Sequence, residues 1–225
     1  MRNHGKLSEM LSDTDSQAAI GHARETLKLA DALAADEGAT LDDRRNVGSS
    51  FLSLGWQFAK SGQVERGIQL MNHAAIRYEE MLAQAPNDVA IQRVLMLAHE
   101  RMGEMQLRST RRYEAAYGNY VASHRISSAL LAAHPQNAWW RKAVAYALLG
   151  MGEARLRQGE PRRALEKQRE AASMFRELLE ADPKNENARF DAGLAVGRIS
   201  ESLLALKDAQ DRKSTRLNSS HPYRS

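Results

Sequence analysis

The feature that most constrains the fold of this 225-residue chain is an internal repeat. Three segments end alike: MLAQAPND at 81–88, LLAAHPQN at 130–137 and LLEADPKN at 178–185. Their prolines, Pro86, Pro135 and Pro183, are 49 and 48 residues apart, and Gly55, Gly103 and Gly152 keep nearly the same step at 48 and 49. Two independent markers on one period indicate a stack of similar units, each burying its apolar face against the next.

Within a unit, the glycine is followed by a turn and then by a small residue: Gly62 then Gly67, Arg111 then Ala116, Gly159 then Ala164. That order reads as helix, tight turn, helix, with each proline stopping the second helix because it has no N–H and disfavours helical geometry in the residue before it. Asn87, Asn137 and Asn185 are placed to start the next helix. Apolar residues recur at helical spacing, as in Leu52, Gly55, Trp56 and Ala59, then Ile68, Met71, Ala75, Tyr78 and Leu82. The pattern predicts eight antiparallel helices at 14–36, 41–60, 63–85, 88–109, 111–134, 137–158, 160–182 and 186–209. Aromatic residues make up only 6% of the chain, which favours helix formers over sheet formers and makes the expected class all-α.

The units resemble tetratricopeptide repeats. LGWQFAKSG at 54–62 followed by Gly67, Met71 and Ala74, and MGEARLRQG at 151–159 followed by Ala164 and Ala171, carry the family's Leu-Gly or similar mark on the first helix, its small residue opening the second, and its closing proline. The departure is length, since the family unit has 34 residues and this period is 48 to 49. The resemblance implies a right-handed α-α superhelix whose first helices line a concave groove for a peptide or protein segment. Long units with the LLxxxPxN ending are also similar to arrays C-terminal to the catalytic domain of some bacterial Ser/Thr protein kinases, although no HRD, DFG or Gly-rich phosphate loop occurs in 16–210. A regulatory fragment of such a kinase is therefore the alternative to a free-standing scaffold.

The ends read differently from the middle. Residues 1–13 read as a disordered lead-in, and 14–210 as the repeat domain. From 211 to 225 a Ser/Arg/Asn-rich tail, DRKSTRLNSSHPYRS, reads as disordered, and residues 211–221 resemble a widely used sequencing-adapter read translated in one frame. The tail is thus expected to be an artefact fused to a repeat cut short, leaving the last helix, with Leu194, Ile199, Leu203 and Leu204, without the helix that should cover it. Charge depends on this tail. The whole chain carries +4, but the tail holds Arg212, Lys213, Arg216 and Arg224 against Asp211, so the remainder is only +1 and a nucleic-acid role loses its support.

No cysteine is present, which excludes disulfides, thiolate chemistry and Cys-ligated zinc and points to the cytoplasm. The positive stretch at 1–6 is followed by polar residues where a signal peptide needs an apolar core, and no run is long and apolar enough for a membrane helix. His99-Glu100 opens like a zinc-protease motif, but Gly103 stands where the second histidine is needed. Gly150-Met151-Gly152 fails as a dinucleotide loop because Arg155 takes the third glycine position. The expectation is no catalysis, no metal and no cofactor, with Trp139-Trp140 packing at a helix start.

Partner-binding residues follow from repeat equivalence. One row on the first helices contains Trp56, Glu104, Glu153 and Glu201; one turn later come Lys60, Arg108 and Arg157, and about one turn earlier Arg101 and Arg198. Glu104 with Arg108 and Glu153 with Arg157 are also spaced as i,i+4 pairs on an exposed helix. In the binding reading Trp56 gives apolar contact and the arginines meet carboxylates of a protein or peptide.

Overall fold

A computed structural model describes residues 38–219, with five isolated positions before them and with side chains up to Asp211. The described residues are helical with no strand. Seven helices follow one another: α1 (Leu41–Lys60), α2 (Val64–Gln84), α3 (Val89–Arg108), α4 (Tyr113–Ala133), α5 (Ala138–Arg157), α6 (Pro161–Ala181) and α7 (Glu186–Ser219). They pack in consecutive antiparallel pairs, an all-α repeat architecture as the sequence implies. The first expected helix, 14–36, and the lead-in 1–13 lie outside the described residues apart from isolated helical positions such as Gly21 and Leu29.

Predicted and observed bounds agree within three residues for α1 to α6. α7 is the exception. It was expected to stop at 209 but runs on to Ser219, so the first nine residues of the tail expected to be disordered are helical backbone. Between Gly197 and Pro222 the chain holds neither glycine nor proline to end a helix.

The chain divides into two compact units, Met1–Leu130 and Leu131–Ser225. In the first, Val47, Phe51, Met71, Tyr78, Ile91 and Met102 are core residues from α1, α2 and α3. Phe58 and Leu54 form a smaller cluster nearby. In the second, Trp140, Val144, Leu148, Leu165, Phe175 and Ala195 are buried on α5, α6 and α7.

Repeat equivalence is expressed at the crossing inside each pair. A Cβ on Gly55 would lie 2.7 Å from both the Gly67 carbonyl and Met71 Cγ; on Gly103, 3.1 Å from the Tyr120 ring; on Gly152, 2.8 Å from Gln168 Cγ. Met71, Tyr120 and Gln168 are themselves 49 and 48 residues apart, so one position on the second helix always fills the notch that the glycine leaves. The turn between the helices also repeats. Gly62 and Gly159 adopt φ of 88° and 80°, and at the same place Arg111 is held at 54°, a left-handed conformation that normally falls to glycine.

The joints between pairs are built alike too. Asp88 accepts from the amides of Ala90 and Ile91, Asn137 from Trp139 and Trp140, and Asn185 from Ala188. The cap expected at Asn87 is thus one residue late, at Asp88, because only the residue bordering the first helical turn reaches its free amides. A second contact was not foreseen. The side chain four residues past each cap reaches back to the repeat's proline: Gln92 to the Pro86 carbonyl at 2.6 Å, Arg141 to Pro135 and Arg189 to Pro183, each at 3.1 Å.

Candidate functional site

The nine residues singled out by repeat equivalence fall on α1, α3, α5 and α7, the first helices of their pairs. In the first unit α1 supplies Trp56 and Lys60, and α3 supplies Arg101, Glu104 and Arg108. The Trp56 indole is half-buried with one side on the core, while the Arg101 guanidinium lies over the ring 5.2 Å from its centroid. This stack joins two helices, and it is closer than the sequence argument required, which set Arg101 in a separate row. Along α3, Glu104 meets Arg108 at 3.3 Å, both exposed. Lys60 sits exposed in the last turn of α1.

One acidic group at this place was missed. Glu100, between His99 and Arg101, is partly buried, and that burial pushes its carboxyl above the usual carboxylate range; the charge of Glu104 adds to the rise and Arg101 opposes it. Its neighbour His99 bonds through Nδ1 to Asn119 Oδ1 at 2.8 Å, and Asn119 donates to Gln106 Oε1 at 2.8 Å. The zinc-like reading of His99-Glu100 thus resolves into a polar contact between α3 and α4, and among the described residues no group of three His, Cys, Asp or Glu could hold a metal ion. A neutral acid, a neutral amide network and a stacked cation share one face of α3.

In the second unit Glu153 is the centre. Its carboxylate, nearly buried, meets Arg157 at 3.5 Å on its own helix and Arg198 of α7 at 3.0 Å, and Arg198 also reaches Glu201 at 3.0 Å. Four of the nine residues thus form one continuous ion network. The arginines pair with carboxylates of this chain, so the i,i+4 pairs are present in both units. Exposed pairs of this kind contribute little stability and exchange partners at small cost, whereas the Glu153–Arg198 contact is more enclosed and ties α5 to α7.

A separate buried cluster lies on the same two helices. Asp191, almost fully buried, takes a hydrogen bond from the Tyr146 hydroxyl and an ion pair from Lys142 at 2.7 Å, while Tyr146 packs edge-on against Phe175. Every charge in it is matched, which is the arrangement of a structural anchor. Trp140 is buried at the start of α5 and packs edge-on with Trp139, whose ring is 40% exposed, so one tryptophan anchors and the other borders solvent. A cavity of about 480 Å³ opens between the first turn of α6 and the later part of α7, lined by Glu160, Arg162, Arg163, Leu206 and Ala209 among others. It contains none of the nine residues.

Known proteins add the fold and nothing finer. No family model and no curated protein matches the sequence. Among solved structures the chain is similar to BtubC (BKLC) from P. vanneervenii, with a TM-score of 0.61 and 15% identity over 99% of this chain and 85% of that one. At that identity the likeness speaks for the helical architecture alone. No helix among the described residues is long and apolar enough to cross a membrane.

Proposed function

We propose that this chain is a non-catalytic, cytoplasmic scaffold of the tetratricopeptide kind, which binds a peptide or protein segment along the first helices of its pairs. The observation that carries this reading is the Trp56–Arg101 stack beside the Glu104–Arg108 pair. An aromatic face, a cation held over it and exchangeable ion pairs together suit a peptide that brings both an apolar side chain and carboxylates. The repeat supports the same reading, because the network around Glu153 occupies equivalent positions in the second unit.

A random peptide library displayed on phage and selected against the full chain tests the idea. Selected peptides are expected to be acidic with an apolar anchor. Replacing Arg108 and Arg157 together by alanine should weaken them by about tenfold while leaving the helical circular dichroism unchanged. Unchanged affinity would remove these side chains from the binding surface, and a library that yields no binders would remove the function.

A further inference from the structure

The last helix presents a face that no other helix covers. α7 packs on α6 through Ala188, Asp191, Ala195 and Ser202, all buried. On its opposite side Phe190 is 69% exposed, Val196 60%, Leu204 61% and Leu203 46%, the largest grouping of bare apolar side chains among the described residues. The sequence expectation named Leu194 and Ile199 here as well, but both are half-buried at the edges of the α6 contact. At the equivalent place in α5, Ala145, Leu148 and Leu149 are buried.

What kind of group fits this face follows from how the molecule uses glycine elsewhere. Gly55, Gly103 and Gly152 are each met by a crossing helix, and Ser200 is their repeat equivalent on α7. Gly193 and Gly197, just before it, have nothing within 4 Å of where a Cβ would stand. The face is therefore a seat for a helix, with small residues at its middle and large apolar ones toward its ends.

We propose that the occupant is α7 of a second copy of this chain, antiparallel and related by a two-fold axis at Gly197. The seam runs at the alternating three- and four-residue spacing of a helix pair: Glu186, Phe190, Gly193, Gly197, Ser200, Leu204 and Lys207. Reversed upon itself about Gly197, that list is self-complementary. Phe190 falls opposite Leu204, Gly193 opposite Ser200, and Glu186 opposite Lys207, each twice by symmetry. Glu186 and Lys207 are exposed and have no ion-pair partner among the described residues. Charge selects this register, because sliding the copy by one half-heptad sets Glu186 against Asp211 instead. The small central residues let the two backbones approach closely, and the apolar ends close over them.

Sedimentation of the full 225-residue chain at micromolar concentration is expected to show a dimer. Gly197→Glu puts two carboxylates on the axis and should give a monomer of unchanged helicity, since the position faces open space within the chain. Glu186→Lys or Lys207→Glu alone should each weaken the dimer by about tenfold, and the two together should restore it. The chain has no cysteine, so Gly197→Cys should form a disulfide-linked dimer under mild oxidation, while Ile76→Cys, exposed on α2, should not. A monomeric wild-type chain, a dimer that survives Gly197→Glu, or single charge reversals that the double variant fails to repair would each overturn the proposal. Peptide binding at Arg108 and Arg157 is read separately, so either idea can fail without the other.

Discussion

The pairs α1/α2 and α5/α6 occupy equivalent places in two units and solve the same packing problem with different chemistry. At the first crossing both helices carry glycine, and a Cβ on Gly67 would lie 2.4 Å from the Gly55 carbonyl and 2.9 Å from the Ala59 amide nitrogen. At the second, Gly152 faces Ala164, and the helices stand far enough apart for a methyl group. Met71 fills the first notch; Gln168, equally buried, fills the second with neither of its amide atoms hydrogen-bonded. A layer below, Tyr78 and Phe175 are equivalent. The Tyr78 hydroxyl donates to the Arg45 carbonyl at 2.9 Å and lies 2.9 Å from Ser49 Oγ, whereas Phe175 packs against the Tyr146 ring. The comparison teaches that the repeat conserves a shape and leaves polarity to each pair, so that one unit is tuned by close approach and the other tolerates a buried amide.

The largest break in this comparison comes at the glycines. Gly67→Ala drives a methyl group into backbone atoms that cannot turn aside and should lower stability by about 3 kcal/mol, seen as a fall in the denaturation midpoint. Ala164→Gly, the same position in α6, should lower it by only about 1 kcal/mol, the usual cost of glycine in a helix. Equal effects would mean that the two crossings are not different.

Tyr78 gives the next effect and a pH signature. Burial pushes its hydroxyl up to about 12 against an ordinary value of 10.0, with the hydrogen bond from Ser49 and the Arg45 charge opposing the rise. The folded state therefore keeps a proton that the unfolded chain releases from about pH 10 upward. Its contribution is complete below that pH and is lost as pH rises toward 12, by about 2 kcal/mol. Tyr78→Phe should flatten this alkaline loss in urea titrations run across that window, and an unaltered slope would deny the tyrosine its part.

Gln168→Met tests the polar notch directly. Methionine is what the equivalent position holds in α2, and exchanging two unpaired buried amide atoms for a thioether should raise stability by about 1–2 kcal/mol. The smallest effect is expected at the turn. Arg111→Gly relieves a left-handed arginine at a site where both equivalents are glycine, and should raise the melting temperature through about 1 kcal/mol. No gain there would show that the arginine side chain offsets its own strain.

Much of this was legible before any coordinates. Prolines, glycines and the small residue after each turn located six helices to within three residues, because each of those signals acts through local backbone geometry. What escaped were contacts made across the chain by side chains that no local rule aims. The Arg101–Trp56 stack joins two helices 45 residues apart in sequence, and its distance depends on how α1 and α3 lie together. The partial burial of Glu100 depends on the same packing. The extension of α7 escaped for the opposite reason, since composition suggested disorder where the absence of a stop signal let the backbone continue.

The contact from the fourth residue past each cap to its own proline has a further meaning. Every joint between pairs satisfies its polar groups within a stretch of a few residues, by the cap below and the return contact above. Such a joint is indifferent to the identity of the helices it connects. Whole units can then be duplicated, deleted or exchanged by recombination between joints without leaving an orphaned carbonyl or amide, so the number of repeats is free to drift while their period stays fixed.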